Sequence, residues 1–155
     1  MWQWLKRLFS RRASGADAEP QVWNFRIKGG RAEIGAVNDA LERAAMAGEV
    51  PDAAMRAMQV ALDELLTNAI MHGKVSLNDP MQVDVIIGKS VLRAVISHAG
   101  PSFDPTAVES PDLEGGLEER EVGGLGIHLV RSMMDEFSYQ HVDGRNIVKL
   151  GKNFR

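Results

Sequence analysis

Glu64 and Asn68 stand four residues apart in the run Asp63-Glu64-Leu65-Leu66-Thr67-Asn68-Ala69-Ile70-Met71-His72-Gly73. On a helix that spacing stacks the two side chains on one face. A carboxylate can take the proton from an attacking hydroxyl. A neighbouring amide oxygen can fill one site on an octahedral Mg²⁺ whose other ligands are phosphates and waters. Together they suit phosphoryl transfer. A Glu/Asn pair is more often simply solvated, but this one lies on a helix rich in Ala, Met and Leu. His72, the next step along the stripe, reads as a helix-end residue favoured by the dipole.

Two glycine-bearing turns can complete such a site. Ser97-His98-Ala99-Gly100-Pro101-Ser102-Phe103-Asp104-Pro105 follows a strand, and Gly100 lets a flat base approach the backbone. Gly123-Gly124-Leu125-Gly126-Ile127-His128-Leu129-Val130 opens a helix whose first amides can hold phosphates. Taken alone, the first is an ordinary Gly-Pro turn and the second a glycine-rich hinge. Residues 106–123 between them carry Glu109, Asp112, Glu114, Glu118, Glu119 and Glu121 against Arg120 alone. We read those acids as pointing into solvent.

The elements that must position these residues follow from hydrophobic spacing. Val22 to Lys28 alternates as a strand. Residues 31–47 have helical spacing, with Ile34, Val37, Leu41 and Ala45 on one side. Pro51 and Asp52 open a second helix that runs to His72, with Gly73 as its cap. Met81 to Ile87 and Val91 to Ser97 form a hairpin around Gly88-Lys89. A long irregular stretch from about His98 to Gly123 precedes a helix over 125–134. Phe137–Val142 and Asn146–Leu150 flank Asp143-Gly144, a strong hairpin turn. This order predicts a two-layer α/β (α+β) sandwich, a mostly antiparallel sheet with helices on one face.

Composition narrows the function. The 155 residues fit one domain, and the absence of cysteine excludes disulfides and thiolate metal sites. The net charge is −3, although residues 1–12 hold Lys6, Arg7, Arg11 and Arg12 and no acid. The body is therefore acidic, which argues against direct binding to nucleic acid. No apolar run is long enough to span a bilayer. In MWQWLKRLF, Met1, Trp2, Trp4, Leu5, Leu8 and Phe9 share one side of a helical wheel. So short a helix needs a surface to fold on: an anionic membrane face, a partner, or the body of the protein itself. Residues 13–20 read as a linker.

The order of these blocks resembles the N, G1, lid and G2 elements of the GHKL ATPase superfamily, shared by DNA gyrase B, MutL and the histidine kinases. Within it the chain is most similar to the stand-alone anti-sigma factor serine/threonine kinases. The Glu-x-x-x-Asn-Ala-x-x-His, Gly-Pro-x-Phe-Asp-Pro, Gly-Leu-Gly-x-His-Leu-Val and closing Asp-Gly-Arg-Asn blocks all look like that group. The likeness covers about residues 21–152.

The resemblance implies a Bergerat-type ATP-binding fold over 21–155; the leader and linker over 1–20 are read from their own residues. It implies Glu64 as general base and Asn68 as Mg²⁺ ligand. ATP would be held by Asn68, His98, Gly100, Phe103, Gly124, Leu125, Gly126 and Ile127, with Gly100 at the adenine and Gly124 and Gly126 at the phosphates. It further implies a serine of a small anti-anti-sigma factor as substrate, a sigma factor as competing partner and a homodimer. The absence of cysteine fits a cytoplasmic setting, and the amphipathic pattern of residues 1–12, which lie outside the resemblance, offers a peripheral contact to the inner membrane. The alternative is a degenerate module that sequesters its partner without transfer. One position departs from the group, which carries an aspartate where this chain has His98. A neutral imidazole accepts one hydrogen bond and an imidazolium accepts none. Losing one such bond costs about 0.5–1.5 kcal/mol.

Overall fold

The computed structural model describes residues 20–73, 75–76, 78–107 and 124–154. The amphipathic leader, the linker up to residue 19 and the acidic run from Glu109 to Glu121 lie outside the described residues.

Five strands form one sheet: β1 (Gln21–Ile27), β2 (Met81–Ile87), β3 (Val91–Ala99), β4 (Glu136–Val142) and β5 (Arg145–Asn153). Their order is β1-β2-β3-β5-β4, and every neighbouring pair is antiparallel. Three α-helices are described: α1 (Arg31–Met46), α2 (Asp52–His72) and α3 (Gly124–Met133). Alternation puts Met81, Val83, Val85 and Ile87 of β2, and Leu92, Ala94 and Ile96 of β3, into one core with the helices. There they meet Ile34, Val37 and Leu41 of α1, Met58, Leu62 and Leu66 of α2, and Ile127 and Val130 of α3. The opposite alternation leaves a smaller cluster of Ile86, Val95 and Ile147, with Val22 packed against it. The expected two-layer architecture is therefore the one observed.

Local differences have physical causes. The buried stripe of α1 ends on Ala44, while Ala45 is only half-buried. β3 runs on through His98 and Ala99 because β5 supplies Asn146 and Arg145 as register partners. The stretch expected to be irregular thus begins two residues later, and Pro105–Ala107 forms a short 3₁₀ turn within it. Asp143 and Gly144 have φ of 51° and 73°, the left-handed pair that a two-residue hairpin demands.

Gly73 does close α2, but not through a left-handed conformation: its φ is −83°. Glycine is required there by crowding. A Cβ would lie 2.5 Å from the Ala69 carbonyl oxygen and 3.0 Å from His98 Cε1. The end of α2 is in this way pressed onto the end of β3, bringing the helix that carries Glu64 and Asn68 over the turn that begins at Gly100.

Candidate active site

The Glu64–Asn68 stripe is formed as its spacing predicts. Asn68 Nδ2 donates to Glu64 Oε1 at 3.1 Å, and both residues are half-buried. An amide that points its NH₂ at a carboxylate must turn its oxygen the other way. Asn68 Oδ1 is therefore left as a hard oxygen donor beside the acid.

The Glu64 carboxylate packs over Gly126 in the second residue pair of α3. A Cβ built on Gly126 would overlap Glu64 Cδ and both carboxylate oxygens, far inside van der Waals contact. Glycine at 126 is thus a seat for the acid, beyond any part it has in presenting amides. Gly124, Leu125, Gly126 and Ile127 make up the first turn of α3, where backbone N–H groups lack helical acceptors. The Ile127 side chain is 2% exposed and belongs to the core, so only its backbone is available to a ligand.

Gly100 has φ +139°, a conformation strained for any other residue. Its N–H donates to Gly144 O at 3.1 Å, and its carbonyl accepts from His141 Nε2 at 2.9 Å. Phe103 lies with its ring 6.4 Å from that of His72. Its N–H is shared between Asn146 Oδ1 at 2.8 Å and Tyr139 Oη at 3.1 Å. Asn146 Nδ2 donates to Pro101 O at 2.9 Å, and Tyr139 donates to Asn146 Oδ1 at 2.6 Å. The β4–β5 hairpin therefore holds the whole Gly100–Phe103 turn.

Asn146 and Tyr139 were not singled out by the sequence motifs. The available signal was Asn146 itself, a polar residue in phase with Val148 and Leu150 on the core side of a strand. Asn146 is 0% exposed. Asn146→Ala would leave the Pro101 carbonyl without its donor and weaken the acceptors of Phe103 and Tyr139. We expect a stability loss of about 2–4 kcal/mol in urea unfolding. A loss under about 0.5 kcal/mol, the size of an ordinary surface change, would mean the network does not hold the turn.

His98 sits at the end of β3, 3% exposed. Burial pushes its pKa below the usual 6.5; the bond from Nδ1 to Ala99 O works against that shift and the Arg145 guanidinium adds to it. The sign of the consequence is fixed. Above pH 6.5 the ring is neutral folded or unfolded and its contribution is constant. As pH falls below that value the unfolded chain takes the proton first, so folding weakens. The pH dependence of the urea midpoint should be shallower in His98→Gln below pH 6.5 than in wild type. Equal slopes would remove His98 from the account.

An acid–amide pair on a helix whose end meets a glycine turn, with the acid packed on the first turn of a second helix, gives this α+β domain an arrangement suited to a nucleotide. Residues 30–152 match the histidine kinase-like ATPase domain, and the chain belongs to that family. Relatives include the serine/threonine-protein kinase BtrW of Bordetella bronchiseptica, 31% identical over 60% of this chain and 66% of that protein. The serine-protein kinase RsbW of Listeria monocytogenes is 26% identical over 61% of this chain and 64% of its own length. The matches thus span just under two thirds of these relatives. Among solved structures, that of the RsbU and RsbW domains of a Mycobacterium tuberculosis protein shares the fold, with TM-score 0.57 and 13% identity, covering 87% of this chain and 33% of that one.

Proposed function

We propose that this chain is an ATP-dependent serine-protein kinase and anti-sigma factor that phosphorylates an anti-anti-sigma partner. The observation that carries the reading is the Glu64–Asn68 pair, with the Glu64 carboxylate seated on Gly126 at the first turn of α3. The match to two kinases named for serine or serine/threonine transfer supports it.

Mg²⁺ fits the residues present. Asn68 Oδ1 is a neutral, hard donor, and no group of three or more His, Cys, Asp or Glu among the described residues could cage a metal unaided. One protein oxygen plus phosphates and waters is an ordinary Mg²⁺ arrangement. The ion would neutralise charge on the phosphates. Glu64 would take the proton from the partner's serine as its Oγ bonds to the γ-phosphorus. The bond from that phosphorus to the β–γ bridging oxygen breaks, and ADP leaves. The first-turn amides of α3 would hold the phosphates.

Incubation with labelled ATP, Mg²⁺ and the anti-anti-sigma protein of the same system tests this reading; phosphoserine on the partner is the expected product. Binding of that partner with no phosphoserine would favour sequestration alone, the second reading, which His98 in the place of an aspartate motivates. In this proposal the protein works in the cytoplasm as a homodimer, binds a sigma factor in competition with its substrate, and touches the inner membrane through residues 1–12. Flotation with anionic vesicles, with and without those residues, checks the last point. Equal flotation would dismiss it.

A further inference from the structure

We infer that residues 1–12 dock on the outer face of this chain's own sheet, their apolar side over Val22, Ile86, Val95 and Ile147 and Arg12 paired with the buried carboxylate of Asp84. The inference is independent of the nucleotide reading and concerns the sheet face turned away from the helices. Strand register puts Val22 opposite Ile86, Asn24 opposite Asp84, Asp84 opposite Val95 and Ser97 opposite Ile147. Ile86, Val95 and Ile147 form a buried cluster with Val22 against it, and among the described residues no helix contributes to it. Ile86 and Val95 are each 4% exposed, although the described helices pack on the other side of the sheet.

Asp84 is the anomaly of that face, since it too is 4% exposed. Asn24 Nδ2 donates to its Oδ1, and Gln82 Nε2 lies 3.3 Å and 3.4 Å from its two oxygens. These donors are neutral amides. Among the described residues no ion pair includes Asp84, whereas Glu136 is taken by Arg93 and Asp79 by Arg145. A carboxylate withdrawn from water without a cation is costly. A guanidinium matches it best, because its planar fork can use both oxygens.

The leader offers that group in the right place. Met1, Trp2, Trp4, Leu5, Leu8 and Phe9 share one side of its helical wheel, and Arg12, four residues after Leu8 and three after Phe9, falls on the same side. On a bilayer this arginine would face the acyl chains, where it is disfavoured. On the sheet it meets the one acid set among apolar neighbours. A second copy on this face would instead bring another buried Asp84 with it. Reach allows the contact: Gln21, the first residue of β1, comes nine residues after Arg12, a span of up to about 30 Å. Asp84 lies on the strand beside β1, about 5 Å across. A helix over residues 1–12 would be about 18 Å long, enough to cross most of a five-stranded sheet. The apolar side has one seat at a time, so the docked leader and the vesicle contact proposed above are alternatives.

The chain has no cysteine, so a spin label can be placed at Gln3→Cys alone, on the polar side of the leader. In methyl NMR of the full chain without vesicles, the label should broaden Ile86, Val95 and Ile147, and Leu41 and Leu62 of the helical layer much less. Arg12→Glu should relieve the broadening and Arg12→Lys should retain most of it; both lie outside the folded body, so neither tests its folding. Asp84→Asn should relieve it as well. Spin-labelled chain mixed with methyl-labelled chain that carries no spin label should show no broadening. Broadening in that mixture would place the leader on a second copy and overturn docking within the chain. Unbroadened methyls on this face overturn the inference outright, and broadening indifferent to Arg12→Glu overturns the pairing with Asp84.

Discussion

Replacing Glu64 by Gln is expected to slow phosphoryl transfer by roughly 10²–10⁴ while ATP still binds. The substitution keeps size and the acceptor for Asn68 Nδ2, so the helix stripe and its packing on Gly126 remain. What is lost is a base able to take the serine proton. Single-turnover transfer measured beside calorimetric ATP affinity separates the two effects. If transfer continued at wild-type speed, Glu64 would be a packing residue and the proton would have to leave by another route. A loss of ATP affinity equal to the loss of transfer would instead make Glu64 part of the nucleotide's ground-state seat.

Gly126→Ala should damage activity without damaging the fold. Alanine in a helix is favoured over glycine by about 0.5–1 kcal/mol, so α3 itself gains. The new methyl, however, occupies the volume of the Glu64 carboxylate. That carboxylate is the far end of a flexible side chain, so it moves aside at little energetic expense. A general base displaced by about 1 Å can cost on the order of 10² in rate. The expected variant melts at or above the wild-type temperature and transfers phosphate about a hundredfold more slowly. Wild-type transfer would show that the acid does not act from its seat on α3; a lower melting temperature would show that α2 and α3 cannot adjust to the methyl group.

The two predictions illustrate which parts of the site were legible in the sequence. The Glu64–Asn68 stripe was, because i, i+4 spacing on a helix is a local rule and α2 follows it. The Asp143-Gly144 turn was, because its backbone requirement is set within two residues. The reasons for Gly73 and Gly126 were not. Each reads locally as a cap or a phosphate loop, yet Gly126 is glycine because of the Glu64 side chain brought up by another element, and at Gly73 the His98 ring of β3 adds to the crowding by the Ala69 carbonyl of its own helix. Asn146 was illegible for the same reason. Its partners Pro101 and Phe103 lie 45 and 43 residues earlier, and no local pattern encodes that contact. The sheet order was predicted only as a class. That β5 rather than β4 would lie against β3 follows from the return of the last hairpin, which spacing alone does not specify.

Because Gly100 is tied to Gly144, and Pro101 and Phe103 to Asn146, the base-side turn cannot take shape before the last hairpin exists. During synthesis a ribosome-borne chain that already displays α1, α2 and the β2–β3 pair would still lack the anchors for that corner. The Gly100–Phe103 turn is therefore completed only after the last two strands have emerged.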